Sequence, residues 1–341
     1  MSFRFNFGGD DSEDDDVPAP PIVTAKTPAP AVRIPKYHTL EDLIRLLPQN
    51  ISYSTLKVSS SVRIPRRELY DVRMQLMAED GLDISVDGEE QAEKSALAGL
   101  GDEDIRTSFY EGGLKSWECS VDLVRYLAAE EEGTWGGVRR VLELGCGTSL
   151  PSLYFFQSTL YRLRHGEEIS PHHFTLADYN AEVLRLVTLP NLFLSWAMSR
   201  VSPGDWDDEA DLDVTEVLRA EFTSDIHSLG ITLDFISGGW GDDMLQLLSS
   251  SSPGGYDLVL GSETIYSQAT TGLFTDVLLG ALGKEGRGLV AAKQIYFGVG
   301  GSVGDFVGRV EGRGAGWRCK IVREERDVGV GRSIVEVSSS S

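Results

Sequence analysis

From Ser108 to the C-terminus, short apolar runs alternate with longer amphipathic stretches, and this rhythm restricts the chain to few architectures. The runs "RRVLELG", "HFTLADY", "ITLDFIS", "YDLVLGS" and "GRGLVAAKQIYF" have the length and near-continuous apolarity of strands buried on both faces. "SVDLVRYLAAEEE" precedes the first of them, and "SLPSLYFFQST", "NAEVLRLVTLPNLFLSWA" and "TTGLFTDVLLGAL" follow at helical length. Strands alternating with helices imply a mostly parallel sheet with helices on both sides. Two closing strands, "WRCKIVREER" and "GRSIVEVS", joined by a turn at "DVGV", add an antiparallel hairpin that a plain dinucleotide fold lacks. The expected fold is therefore α/β: a seven-stranded, Rossmann-like sheet over 108–337 with a C-terminal antiparallel hairpin and a short Ser tail at 338–341.

The upstream part differs in composition. Residues 1–37 are acidic and then Pro/Ala-rich, which cannot bury a core and reads as a disordered tail. Phe3, Phe5 and Phe7 alternate within it, as a docking peptide, a short added strand or a bare terminus would. Residues 38–107 read as an extension with short helices and an acidic linker. One helix starts at a Thr39 cap and stops near Pro48, and an extended piece follows. A second helix is expected to begin at Pro65, with Leu69, Val72 and Leu76 on one face.

Charge narrows the partners. The net charge of −22 resides in three runs, 10–16, 79–104 and 205–216, and the rest of the chain is balanced. Such runs read as solvated tail, linker and inserted loop, the last within an acidic insertion at 199–230, or as attraction to a basic protein partner. Direct contact with nucleic acid is not expected. No apolar run approaches the roughly 18 residues of a membrane span. Three cysteines, Cys119, Cys146 and Cys319, stand without C-x-x-C pairing, and the N-terminus has no secretory pattern. The expectation is a reducing compartment, the cytoplasm and/or the nucleus, with no metal site.

Chemistry concentrates where strands end. "VLELGCGTSLPS" (141–152) runs strand, Gly turn, helix, with Gly145 and Gly147 permitting close approach of a nucleotide-type cofactor. A phosphate-binding P-loop would need a following Lys, and a dinucleotide fingerprint would need Gly where Leu150 stands. The E/D-x-G-x-G pattern of methyltransferase loops is met by Glu143, Gly145 and Gly147, with Cys146 between the glycines. In "LADYN", Asp178 ends the next strand and suits the two ribose hydroxyls of an adenosine, while Asp178 and Asn180 also suit a helix N-cap. The spacing from Gly145 to Asp178, 33 residues against about 20, is accounted for by a surface loop at 161–173 whose His172 and His173 are bystanders. In "ISGGWGD", Trp240 offers a flat face for adenine or a packing anchor, and Asp242 an acceptor for the adenine amino group or a helix cap. "YDLVLGSETIYS" then places Ser262, Glu263 and Tyr266 at the end of a buried strand, where a structural loop needs no carboxylate.

Five blocks, "YEGGLKSWECSVDLVRYL", "VLELGCGTSLPS", "LADYNAEVLRLVTLPNLFLSWA", "YDLVLGSETIYS" and "KQIYFGVGG", closely resemble the fungal and animal protein-histidine N-methyltransferases. The resemblance spans about 38–337 and includes "LPQNISYSTL" and "IPRRELYDVRMQLM". It implies S-adenosylmethionine as cofactor and a histidine of a large-subunit ribosomal protein as target. It also implies that Trp117 and Lys115 close over the methionine part of the donor, against a reading of Trp117 as a packing anchor beside a solvated Lys115. Ser262 completes the implied cofactor set. Glu263 and Tyr266 match an E-x-x-Y variant of the post-strand D-x-x-Y of related lysine methyltransferases, which casts both as catalytic. The Tyr296–Phe297 loop with its glycines would receive the substrate peptide. Two rivals stand beside this reading: a lysine methyltransferase of the same fold, and a non-catalytic assembly factor binding a basic partner. An oxidoreductase is disfavoured by Leu150 and the hairpin.

Overall fold

The computed structural model describes residues 33–80, 112–130, 133–167, 172–202, 204–314, 316–326 and 329–339. Among these residues the strands are β1 (Lys36–His38), β2 (Asn50–Lys57), β3 (Arg63–Arg67), β4 (Arg140–Leu144), β5 (His173–Asp178), β6 (Glu209–Asp213), β7 (Thr232–Ser237), β8 (Tyr256–Ser262), β9 (Leu282–Lys293), β10 (Trp317–Glu325) and β11 (Arg332–Ser339). The helices are α1 (Leu40–Arg45), α2 (Leu69–Asp80), α3 (Glu118–Ala129), α4 (Leu150–Arg164), α5 (Ala181–Val183), α6 (Leu189–Met198), α7 (Glu216–Ser228), α8 (Asp242–Ser251), α9 (Gln268–Ala281) and α10 (Val303–Gly312).

Period-2 alternation divides the strand side chains between two apolar layers. Val141, Phe174, Leu176, Leu258, Leu260 and Leu289 enter one layer, shared with α3, α4 and α6. Leu142, Leu144, Ala177, Val259 and Val290 enter the other, shared with α8, α9 and α10. The sheet runs β1-β7-β5-β4-β8-β9-β11-β10. Pairing is parallel from β7 through β9 and antiparallel at β9–β11, β11–β10 and β1–β7. The seven expected strands are all present, with the hairpin at one edge. An eighth, β1, is added at the other edge. Tyr37 Oη donates to Asp234 Oδ1 at 2.5 Å, and His38 Nε2 lies 2.8 Å from Ser237 Oγ, which pins this three-residue strand to β7.

Three expectations need correction. Pro65 does not open a helix: it lies in β3, paired with Thr55, and α2 starts at Leu69. β3 is an edge of the small sheet β3-β2-β6, where a missing N–H is tolerated. The expected amphipathic face of α2 does form, with Val72 and Leu76 buried and Leu69 partly buried. Second, the acidic insertion is folded. Glu209–Asp213 pairs antiparallel with β2, Asp208 binds Lys57 and Arg63, and Asp211 accepts from Ser52 Oγ. Trp206 stacks on Tyr53 with centroids 4.7 Å apart. Third, the helix through 181–198 is interrupted by a π-helical turn at Leu184–Thr188. Pro190 cannot donate to Leu186 O, and Arg67 Nη1 fills that vacancy at 3.0 Å.

Thr39 caps α1 by accepting from Asp42 N at 3.0 Å, as expected. Leu43, Ile51 and Ile64 of the extension share a core with Val141 and Leu176, within a unit spanning Val32–Ser341. Of the tail expected at 1–37, residues 1–32, with Phe3, Phe5 and Phe7, lie outside the described residues, as do 81–111, which take in most of the expected acidic linker; residues 33–37 are described, with Lys36 and Tyr37 in β1.

Candidate active site

β4 occupies the sheet centre, with β5 added on one side and β8 on the other. At such a reversal the loops leaving the C-terminal strand ends diverge and open a crevice. Every residue expected at the site lies at the C-terminal ends of those strands, on the loops and first helical turn that follow them, or on the segment before α3.

The loop after β4 carries two left-handed glycines, Gly145 at φ 66° and Gly147 at φ 50°. A Cβ on Gly145 would stand 2.7 Å from Thr264 Cγ2, and one on Gly147 3.2 Å from Gly113 O. Two side chains that the sequence reading did not single out hold the loop from below. Thr188 Oγ1 donates to Gly147 O at 2.7 Å, and Asn191 Nδ2 donates to Thr148 O at 3.0 Å. Asn191 Oδ1 also accepts from Arg67 N at 2.7 Å, so one amide ties the extension to the glycine loop. Cys146 presents backbone only, since its thiol is buried 3.6 Å from Thr188 Oγ1.

Asp178 Oδ2 accepts from Gly147 N and Oδ1 from Asn180 N, each at 3.0 Å. Asn180 Oδ1 caps α5 by accepting from Glu182 N at 3.2 Å. Glu143 lies fully buried on the α4 side of β4, where its Oε2 accepts from Ser152 N at 2.9 Å and its Oε1 has no partner. Burial raises Asp178 to about 6 and Glu143 to about 8. For Glu143 the folded chain therefore keeps a proton that the unfolded chain loses near 4.5, and stability falls as pH rises from there to about 8. Glu143→Gln should flatten that decline in thermal melts between pH 5 and about 8. A variant melting curve that keeps the wild-type slope would contradict the assignment.

Glu263 follows β8 in the left-handed region, φ 56°, where a non-glycine residue is costly. Its N–H donates to Ala291 O at 2.9 Å. Its Oε2 accepts from Tyr296 Oη, and its buried Oε1 has no hydrogen-bond partner. Tyr296 Oη in turn accepts from Lys293 N at 3.2 Å. The Cys119 thiol lies near the same carboxylate, and burial together with Glu263 pushes both the thiol and the Tyr296 phenol up, so that both stay protonated. Tyr266 packs edge-on to Tyr296 with centroids 6.5 Å apart. Ser262 is the half-buried last residue of β8.

The loop carrying Tyr296 differs from expectation. Tyr296 is 5% exposed and committed to Glu263, while Phe297, 78% exposed, remains at the surface. Gly301 pins this loop, because a Cβ there would stand 2.1 Å from Ile265 O.

Trp117 precedes α3, its Nε1 donating to Gly112 O at 2.8 Å, with Lys115 Nζ 4.6 Å and Lys293 Nζ 5.6 Å from its ring. Ser116 Oγ, 3.1 Å from Thr148 Oγ1, joins this segment to the glycine loop. Trp240 is half-buried, edge-on to Phe274 at 6.1 Å. Asp242 does not cap α8; Gly241 holds that position and Asp242 sits exposed in the first turn. His172 and His173 belong to the opposite end of the sheet, His172 bound to Thr159 and His173 to Asp234.

The structure thus assembles two linked clusters. Glu143, Gly145, Gly147, Asp178 and Asn180 form one. Glu263, Tyr296 and Cys119 form the other, joined to the first where Thr264 meets Gly145. The unpartnered Glu263 oxygen and the buried Asp178 carboxylate, beside glycines in left-handed conformation, suit a cationic ligand carrying a nucleoside.

No family model matches the chain. Among curated proteins, Histidine protein methyltransferase 1 of Saccharomyces cerevisiae is 34% identical over 343 residues, covering 90% of this chain and 89% of that protein. The protein of the same name from Schizosaccharomyces pombe is 35% identical over 275 residues, covering 80% and 76%. A Bos taurus homolog is 35% identical over 211 residues, covering 62% of this chain and 51% of the relative.

Proposed function

This chain belongs to the histidine protein methyltransferase family, and from that premise we propose that it methylates a ring nitrogen of a histidine in a basic ribosomal protein. The donor is S-adenosylmethionine, which supplies an electrophilic methyl on a sulfonium when bound. Asp178 and Asn180 suit its ribose, Gly145 and Gly147 its close approach, Trp240 its adenine, and Glu143, Trp117 and Lys115 its amino-acid end.

One observation carries the catalytic reading: Glu263 Oε1 is buried without a partner while Oε2 is fixed by Tyr296. A neutral imidazole has one N–H and one lone pair. Accepting the N–H at Oε1 fixes the tautomer and leaves the lone pair on the other nitrogen for attack. As that nitrogen is alkylated the ring becomes cationic, and the carboxylate already beside it stabilises the charge. Tyr296 is the positioning residue, and Tyr266 a wall of the channel. Histidine, titrating near 6.5, is mostly neutral at pH 7. Lysine, near 10.4, would need a proton acceptor before attack. Glu263 serves the first demand with no further group.

The ribosomal target is supported by charge: three acidic runs give the chain a net charge of −22 and favour a basic partner. With such a substrate, the expected location is the cytoplasm or nucleus. Incubating a large-subunit protein fraction with tritiated donor and enzyme should label a basic protein of that fraction. Label confined to non-ribosomal proteins would reject the target.

Tyr296→Phe should lower kcat about tenfold, the scale of one hydrogen bond to a charged group, and leave S-adenosylhomocysteine affinity unchanged. An unaltered kcat would remove Tyr296 from the account.

A further inference from the structure

The segment before β1 crosses the tips of β5 and β7. Arg33 O accepts from Gly239 N at 2.9 Å, and a Cβ on Gly238 would stand 2.5 Å from Pro35 Cα, so the backbone of 33–35 lies directly on the loop leading to Trp240. On its other side the Arg33 side chain reaches the loop after β5. Nη1 donates to Asn180 Oδ1 at 3.1 Å, and the guanidinium lies 5.1 Å above the Tyr179 ring. These two loops hold the residues assigned to ribose and adenine. Pairing of β1 with β7 holds the segment in place.

We propose that Arg33 is a binding residue for the nucleoside half of the donor, delivered by the N-terminal extension to a site otherwise built from the sheet. The inference rests on the donor assignment above. Asn180 cannot turn away from Asp178 while Arg33 holds its oxygen, and Tyr179 is fixed by a cation over its face. The positive charge also opposes the burial that raises Asp178, keeping an ionised acceptor for two ribose hydroxyls. The guanidinium is therefore placed to act at the sugar and base, the half of the donor assigned to Asp178, Asn180 and Trp240.

Calorimetry on the full chain tests this with two probes, S-adenosylhomocysteine and 5′-methylthioadenosine, the latter lacking the amino-acid half. Arg33→Ala should weaken both by the same factor, about tenfold, with an unchanged melting temperature for the free protein. Arg33→Lys, which keeps charge but not the planar fork, should recover only part of the loss. An Arg33→Ala affinity within twofold of wild type overturns the proposal, as does a loss seen with S-adenosylhomocysteine but not with methylthioadenosine. A loss that tracks a lowered melting temperature in both variants assigns Arg33 to folding and also overturns it. Failure of the wild-type chain to bind either probe is a different result, and removes the donor assignment itself.

Discussion

Glu263→Gln is expected to lower kcat by about 10²- to 10³-fold while leaving S-adenosylhomocysteine affinity within twofold of wild type. The amide keeps the shape and one acceptor, which Tyr296 Oη occupies, and turns an N–H toward the position where the substrate N–H arrives. It removes both the acceptor that selects the tautomer and the negative charge that faces the cationic product. Backbone geometry offers an independent check. A residue with a Cβ at φ 56° costs about 1 kcal/mol or more relative to glycine. Glu263→Gly should therefore relieve strain and keep or raise stability while abolishing transfer, the pattern of a residue retained for function. Full activity in Glu263→Gln, measured at saturating donor, would end the tautomer argument.

Gly145→Arg is expected to abolish donor binding, with no measurable heat on titration with S-adenosylhomocysteine and a retained circular dichroism spectrum. Two penalties act together. The left-handed φ of 66° disfavours any side chain by about 1–2 kcal/mol, and the first added carbon meets Thr264 Cγ2 at 2.7 Å. The loop must shift, and with it Gly147 N, which holds Asp178. Gly145→Ala separates the terms. Adding Thr264→Ser, which deletes the clashing methyl, should recover the steric part of the loss and leave the backbone part. Normal binding by Gly145→Arg would move the cofactor away from the loop after β4.

Why some features could be read from the sequence and others could not follows from their period and range. Strands such as Tyr256–Ser262 were readable because burial on both faces leaves a continuous apolar run. Glu209–Asp213 carries a strand pattern too, Ala210 and Leu212 alternating with acids, but aspartate is a poor strand former and the acids read as solvated. The partners of Asp208, Asp211 and Asp213, namely Lys57 and Arg63, Ser52, and Asn50, lie about 150 residues away, beyond any local signal. β1 is three residues long, too short to show a period. At the site, Glu263 stood out because a carboxylate at the end of a buried strand has no structural reason. Tyr296, 33 residues on, gave no such cue: only the pairing of β8 with β9 brings its hydroxyl to Glu263. Arg33, Thr188 and Asn191 are ordinary residues until the fold sets them against the loops they hold.

The measurement closest to the central claim is chemical identification of the modified residue. After incubation of the full chain with methyl-tritiated donor and a large-subunit protein fraction, acid hydrolysis and amino-acid separation should place the label on methylhistidine, and Glu263→Gln should reduce it. Label on methyllysine, or protein left unlabelled by an enzyme that binds the donor, would contradict the account.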